Sequence, residues 1–411
     1  MIDINKNYWL YIAPHVYCCF KNDEALLYNT HNGAHITIDS HEIIALLRTL
    51  HNRENLGAVL CEGKLLMTEP YRDFAASFCE NEMGDVVDVE IMPEKPIQLM
   101  PVLNLQRDMD RKHKYEEILF GENALHYLTE INLYLHTACR QNCRLCDDYF
   151  RQTLCCHTSE TSKIMDISTI EHILMQIRYG VVGRINLLGG NIFEYSFFEK
   201  LTICLMDFKD RVRVWNHYAN FCNYENALPD FHYEIPVTFP IKPEEWEHSL
   251  KILKEAQVRY QFFITGVEEY EQALALVENY GIGNYAIRPV YTRSNLAFFE
   301  EYVYADRNSI FKSKIPFRQI FANQKLNTHF FGSLTVMPDG DIFANVNCSS
   351  LGNIAGDTLL NIICKEMLDN TAWRRIRDAK PCSDCLYQYL CPSPSNYETV
   401  IERINLCHIK K

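Results

Sequence analysis

The sequence lacks any uninterrupted apolar stretch approaching about 18 residues, so it predicts no transmembrane helix. Its N-terminus has no basic segment, long apolar segment or small-residue cleavage site, and we therefore expect no secretory signal and a cytoplasmic location. Glycine and proline number only 16 and 15, which excludes collagen-like and low-complexity architectures. Positive charge is scarce too, and the formal net charge of −13 argues against nucleic acid as a partner.

Cysteine, in contrast, is abundant, with 17 residues in a chain of 411. In a reducing cytoplasm, spaced cysteines bind metals or carry out redox chemistry more often than they form disulfides. The hydrophobic fraction of 47% is enough for sizeable cores, and the length is typical of two or three domains. The spacing of the cysteines is therefore the first clue to function.

Three regions and a linker differ in their patterns. Residues 1–91 contain short β-prone runs, an Asn32-Gly33 hairpin signal and helical periodicity after Asp39 or Ser40, either of which can cap a helix. Residues 92–128, rich in proline at their start, are predicted to form a linker. Residues 312–411 contain a hairpin signal around Gly340 and then a cysteine-dense tail.

Residues 129–311 alternate strands with helices, which predicts an α/β fold. The candidate strands are Ile131–His136, Arg184–Leu188, Val212–Asn216, His232–Phe239, Arg259–Thr265 and Asn284–Tyr291. Six successive β-α units predict a parallel sheet with helices outside it, in the manner of a partial (β/α)6 TIM barrel. Ligands of such a sheet bind at the carboxyl ends of its strands.

Cys139, Cys143 and Cys146 follow the first of these strands with C-x3-C-x2-C spacing. Three thiolates on one strand-to-helix loop can bind three irons of a [4Fe–4S] cluster and leave the fourth iron open. This pattern is the radical S-adenosylmethionine (SAM) signature. The alternative is a zinc site, whose fourth ligand could come from Cys155, Cys156 or His157.

The end of the second strand carries Gly189, Gly190 and Asn191. Glycines there let the backbone approach a neighbour closely. The segment resembles the Gly-Gly-Glu motif with which radical SAM proteins bind the amino group of SAM, except that Asn191 replaces the glutamate. Asn216, at the end of the third strand, corresponds to a SAM contact in many of those proteins.

The tail contains a second cysteine group. Cys382, Cys385 and Cys391 have C-x2-C-x5-C spacing, and Cys407 follows. The group resembles the second auxiliary cluster of SPASM domains, the C-terminal module of many peptide-modifying radical SAM enzymes. Four thiolates would close a [4Fe–4S] cluster completely, and they would also satisfy a tetrahedral zinc ion.

The first auxiliary cluster of a two-cluster SPASM domain has no counterpart in this sequence. Two of the expected cysteine positions are Ser395 and Asn345, and no cysteine occurs near His329–Gly332. All three differences concern the same cluster. We therefore expect two clusters in the protein, one that binds SAM and one auxiliary.

Over nearly its full length the chain is similar to the radical SAM/SPASM peptide maturases of the GG-Bacteroidales peptide systems. Lys95–Asp108 (KPIQLMPVLNLQRD) and Cys391–Glu398 (CPSPSNYE) carry the resemblance beside the cysteine motifs. It implies that residues 1–91 form a PqqD-like, winged-helix-type RiPP recognition element, that 129–311 form the radical SAM core and that 312–411 form a SPASM-like domain. A small packing domain is the alternative for residues 1–91.

The resemblance implies an enzyme that binds the leader of a ribosomally made precursor peptide and modifies the peptide with a 5′-deoxyadenosyl radical. SAM, the two clusters and a reductant such as flavodoxin or ferredoxin would take part. The same systems contain pseudo-radical-SAM companions, which bind leader peptide or a homologous maturase. Asn191 and Pro236–Pro243, which lacks a common Asp-Gly, favour that alternative.

Overall fold

The structure is a computed structural model that describes residues 2–99, 101, 124–141, 143–157, 163–223 and 231–409. The linker predicted for residues 92–128 falls mostly outside these ranges. No helix within them is both long enough and apolar enough to cross a membrane.

The N-terminal region contains six strands in two antiparallel sheets. They are β1 (Asn7–Ile12), β2 (Val16–Lys21), β3 (Glu24–Asn29), β4 (His35–Ile38), β5 (Ala58–Glu62) and β6 (Gly84–Asp88). The strand orders are β2-β3-β4 and β5-β1-β6. The first sheet was predicted, including its Asn32-Gly33 turn, where Gly33 has a φ of +84°. The second sheet was missed, because its strands pair with partners distant in the sequence.

Three helices complete this region: α1 (His41–His51), α2 (Gly63–Leu66) and α3 (Tyr71–Glu80). Ser40 caps α1, because its side chain accepts a hydrogen bond from the N–H of Ile43. The apolar side chains of α1 and α3 pack with β1 and β3 in one buried core.

The central sheet has nine strands, in the order β12-β11-β10-β9-β8-β7-β13-β14-β15. Six of them are the predicted strands: β7 (Glu130–Tyr134), β8 (Arg184–Leu188), β9 (Val212–Trp215), β10 (His232–Val237), β11 (Gln257–Ile264) and β12 (Tyr285–Pro289). All neighbouring pairs among these six are parallel. The prediction of an α/β fold with a large parallel sheet is thus confirmed.

Helices follow the strands of the parallel sheet. They are α4 (Cys146–Gln152), α5 (Ile167–Ile177), α6 (Phe198–Leu205), α7 (Pro243–Ile252), α8 (Val267–Tyr280) and α9 (Leu296–Tyr302). The buried faces of α5, α6 and α7 pack with the sheet in the largest core of the protein. The apolar spacing of these segments explains why they form helices that cover a sheet.

The C-terminal region extends the same sheet. Strand β13 (Ser333–Val336) pairs parallel with β7, and the predicted hairpin brings β14 (Asp341–Phe343) and then β15 (Gly352–Asn353) onto the edge. The helices of this region are α10 (Arg307–Phe311), α11 (Phe317–Lys325), α12 (Leu359–Asp369) and α13 (Asn396–Ile401). The C-terminal region is therefore joined to the first strand of the parallel sheet through β13.

The N-terminal region packs on the cysteine tail. Tyr17, Leu26 and Tyr28 share a buried core with Leu386 and Leu390. The ammonium group of Lys21 adds polar contacts, because it donates to the carbonyl of Ser383 at 2.6 Å and to the side chain of Gln388 at 2.8 Å.

One face of the parallel sheet is polar. Asn186 of β8 donates to the side chain of Asn132 of β7 at 2.7 Å, and on the far strands Arg288 donates to Gln261 at 2.8 Å. Asn132 and Arg288 come from the first and last strands of the six, yet both line one cavity. The sheet therefore curves around this polar face.

Candidate functional site

The first cysteine group lies at the carboxyl end of β7, where a parallel sheet binds its ligands. Cys139 and Cys143 lie on the loop after the strand, and Cys146 is the first residue of α4. The three thiols interact electrostatically with one another. Burial and the neighbouring thiols raise the pKa of Cys143 to about 11 and raise the pKa of Cys139. Binding a metal here therefore requires that protons leave the thiols.

The Gly-Gly segment packs directly on this cysteine loop. Gly189 and Gly190 have φ angles of +107° and +60°. The N–H of Asn191 donates to the carbonyl of Ala138 at 2.8 Å. The ring of His136 donates to the carbonyl of Asn191 at 2.9 Å and accepts from the N–H of Ala138 at 3.2 Å. The two segments that were predicted to hold the cluster and SAM are thus one connected unit, and the close neighbour of the glycines is the chain's own backbone.

We expect Gly190→Ala to disrupt this unit. An added Cβ would lie 1.9 Å from the carbonyl oxygen of Ala138, at a φ that non-glycine residues rarely adopt. The backbone strain alone costs about 1–3 kcal/mol. Urea unfolding should show at least this loss, and the iron content after reconstitution should fall.

Gly183→Ala is the matched control, because no atom lies within 4 Å of a Cβ added there. If the Gly190→Ala variant had the same stability and iron content as the control, the two loops would not be packed as closely as described.

Amide side chains extend from the Gly-Gly segment to the cysteine loop. Asn216 donates to Asn191 at 3.4 Å, Asn220 donates to Asn216 at 2.6 Å, and Gln141 donates to Asn220 at 3.1 Å. Asn191 also donates to Glu194 at 3.3 Å. The structure therefore brings together the predicted residues Asn191 and Asn216. Asn220 was missed, because an isolated asparagine after a strand carries no recognisable signal.

Cys156 and His157, which follow α4 in the chain, lie beside the three cysteines. The thiol of Cys156 interacts electrostatically with those of Cys139, Cys143 and Cys146. The buried ring of His157 lies with Nδ1 3.8 Å from Sγ of Cys146, and its carbonyl accepts from the N–H of Gly190 at 3.1 Å. The segment is thus part of the site.

The four tail cysteines line one small cavity of about 40 Å³: Cys382, Cys385, Cys391 and Cys407. Cys407 is 16 positions beyond Cys391 in the sequence. The segment after α13 brings it to the other three, and Cys407 forms a β-bridge with Ala305. Burial raises the pKa of Cys391 to about 12.

Arg377 and Asn405 donate to sulfur atoms of this cavity. The distances are 4.0 Å from Arg377 Nη1 to Sγ of Cys382 and 3.0 Å from Asn405 Nδ2 to Sγ of Cys407. Donors to cysteine sulfur are a feature of iron–sulfur sites, where they tune the reduction potential. Neither residue was predicted from the sequence, because neither lies in a recognisable motif.

The donor sets fit clusters by their chemistry: three thiols on the first loop and four in the tail. Within the described ranges, no group of three or more His, Cys, Asp or Glu side chains is arranged to hold a single metal ion. The thiolates of a cubane each bind a different iron, whereas the ligands of a tetrahedral zinc all bind one ion at about 2.3 Å.

The positions that lack auxiliary-cluster cysteines also come together. His329, Asn345 and Ser395 line the cavity of about 290 Å³ that the curved sheet surrounds. Ser395 caps α13 and donates to Glu398 at 2.6 Å, while Asn345 donates to Asn396 at 2.7 Å. At Asn345 and Ser395, hydrogen-bonded side chains stand where thiols were expected.

Comparison with known proteins gives structural neighbours only. The chain is similar to Streptococcus suis SuiB bound to S-adenosylmethionine, with 12% identity, 98% of this chain and 99% of that chain covered, and a TM-score of 0.48. It is also similar to SuiB bound to precursor peptide SuiA, with 13% identity, 98% of this chain and 99% of that chain covered, and a TM-score of 0.45. For native anSMEcpe with bound AdoMet and Kp18Cys peptide, the identity is 12%, the coverage is 67% of this chain and 95% of that chain, and the TM-score is 0.41.

No family model matches the chain, and no curated protein does. The function of the protein is therefore inferred from the chain's own residues.

Proposed function

We propose that the protein is a radical SAM peptide maturase with two [4Fe–4S] clusters. The observation that carries the proposal is the Cys139–Cys146 loop, which lies at the carboxyl end of the first parallel strand and packs on the Gly-Gly segment. Three thiols at this spacing bind three irons and leave one for an exogenous ligand. Cys139, Cys143 and Cys146 would hold the cluster, and with SAM bound at the open iron it would supply the electron for reductive cleavage of SAM and the radical chemistry that modifies a peptide.

The chain's own contribution is to hold and orient the reactants. The Gly189–Asn191 backbone and the side chain of Asn216 are the proposed SAM contacts, beside the cysteine loop. The cavity among the parallel strands would receive the target residue and limit its exposure to water. The closed tail cluster, ligated by Cys382, Cys385, Cys391 and Cys407, would relay electrons from a reductant such as flavodoxin or ferredoxin or brace the cavity.

The N-terminal region would recognise the leader of the precursor peptide by strand addition. Strand β4 supports this role, because among the described strands it pairs only with β3 and leaves its other edge open. The hydrogen bond from the N–H of Asn29 to the carbonyl of Ala34 sets the register, so that the backbone groups of His35 and Thr37 face the open edge.

The test is anaerobic turnover. Reconstituted protein with dithionite, SAM and the short peptide encoded next to its gene should produce 5′-deoxyadenosine and a peptide of altered mass. Persistent absence of 5′-deoxyadenosine, from protein with a full iron content, would refute SAM cleavage.

A second candidate function is a non-catalytic companion that binds leader peptide or a homologous maturase. Two observations favour it: Asn191 stands in place of glutamate, and Cys156 lies among the three cluster cysteines. A fourth thiolate would leave no iron open for SAM. This candidate predicts leader binding and a stable heteromer without SAM cleavage, which pull-down and turnover assays on the same preparation would reveal.

A further inference from the structure

The cavity of about 290 Å³ inside the curved sheet contains an arginine, Arg288, that forms no ion pair among the described residues. Glu234 interacts with it electrostatically, but this carboxylate accepts a hydrogen bond from Gln261 at 2.6 Å. Arg288, near the end of β12, is half-buried and donates from Nε to Gln261 at 2.8 Å. Within the described chain, Arg288 forms no ion pair with a carboxylate, whereas Arg184 pairs with Glu130 at 3.5 Å and Arg377 with Glu398 at 2.8 Å. A half-buried guanidinium that has no ion pair can bind an anionic ligand through charge-assisted hydrogen bonds.

The other polar groups around this cavity are mostly committed to one another. Asn132 donates to Ser333 and to Thr335, both at 3.1 Å. Gln152 donates to the carbonyl of Tyr291 at 2.8 Å and accepts from its N–H at 2.7 Å. These groups fix the walls of the cavity, and they leave Arg288 as the group that can select a ligand by charge.

The charged groups of the first cavity are Arg288 and Glu130. Glu130 pairs with Arg184 at 3.5 Å, so its charge is already balanced. A second cavity, of about 430 Å³, is lined by Arg184, Arg213 and Arg259, with Glu234 beside them. Arg288 is therefore the cation of the first cavity that has no ion pair among the described residues.

The positions at which the resemblance to SPASM domains predicts auxiliary-cluster cysteines, near His329 and at Asn345 and Ser395, border the same cavity as Arg288. The side chains of Asn345 and Ser395 are neutral and hydrogen-bonded, to Asn396 and to Glu398.

From these observations we propose that the cavity binds an acidic side chain, aspartate or glutamate, of the peptide that the protein modifies, with Arg288 as the charged contact. That the ligand is a peptide rests on the proposed function. The proposal goes beyond that function because it specifies the chemistry of the peptide residue that enters the cavity.

The test measures binding and requires no turnover. The probes are blocked pentapeptides with alanine at all positions except the central one, which is Glu, Asp, Gln or Asn. Titrations of the reconstituted full chain, followed by ligand-detected NMR, should show about tenfold tighter binding of an acidic probe than of its amide counterpart, as one charge-assisted contact implies.

Arg288→Gln should abolish this preference, and Arg288→Lys should retain part of it. Arg213→Gln is the matched control: it removes the same charge from the second cavity, and the preference should persist. Equal binding of acids and amides, no binding of any probe at millimolar concentration, or an equal loss in Arg213→Gln would overturn the proposal.

Added SAM separates this proposal from a role of Arg288 at the cofactor. Saturating SAM should leave binding of the acidic probe unchanged, and displacement of the probe would assign Arg288 to the carboxylate of SAM and refute the proposal. Failure of the proposed function gives a different result. If the protein prefers acidic probes but produces no 5′-deoxyadenosine, the acidic-ligand site is supported and SAM cleavage is refuted.

Discussion

Replacing Cys146 by serine is expected to abolish SAM cleavage and to lower the iron content from about eight to about four atoms per chain, the loss of one cubane. Cys146 begins α4, and its thiol interacts electrostatically with those of Cys139 and Cys143. A serine hydroxyl is a poor iron ligand at neutral pH, so the cluster would lose one of only three protein ligands. Iron analysis and a 5′-deoxyadenosine assay on the same preparation measure both effects.

Cys364→Ser is the control for this experiment. Cys364 is a half-buried cysteine of α12 that packs against the main core and has no assigned ligand role. The Cys364→Ser variant should keep the full iron content and the 5′-deoxyadenosine activity. Full iron in Cys146→Ser would mean that another residue replaces the ligand, with Cys156 as the nearest candidate, and that the three-cysteine assignment is wrong.

Replacing Cys391 by alanine is expected to remove the other cluster, again lowering iron from about eight to about four atoms per chain. Cys391 shares its cavity with Cys382, Cys385 and Cys407, so its loss opens a site that otherwise has four thiolates. The first cluster should remain, because its cysteines lie elsewhere in the fold, on the loop after β7 and at the start of α4. Absorption and EPR spectra of the variant should therefore show a single cluster type.

The control for the tail is Cys348→Ala, because the thiol of Cys348 donates to the carbonyl of Thr371 at 3.4 Å and has no assigned ligand role. It should keep about eight irons. If metal analysis found zinc instead of iron in the wild-type tail, the tail would be a structural zinc site and not an auxiliary cluster.

The sequence was sufficient to predict the features that depend on local patterns. The six parallel strands follow from apolar runs between amphipathic helices, and the Ser40 cap and the Gly33 turn follow from local backbone chemistry. Strands β1, β5 and β6 were missed, since they form a sheet only through pairing across most of the N-terminal region.

The candidate sites show the same division. Cysteine spacing predicted which thiols share a loop, but it could not reveal that Arg377 and Asn405 donate to the sulfurs of the tail. The sequence likewise indicated a missing cluster at Asn345 and Ser395. It could not show that these positions border a cavity with Arg288, because that contact depends on the curvature of the sheet.

The central claim is that the Cys139–Cys146 loop holds a cluster with an iron open to SAM. The most direct measurement is the EPR spectrum of the dithionite-reduced Cys391→Ala variant, in which only this cluster should remain, before and after addition of SAM. Direct binding of SAM to the open iron predicts a clear change in the g values of the signal. A spectrum of the same cluster that is identical with and without saturating SAM would contradict the claim.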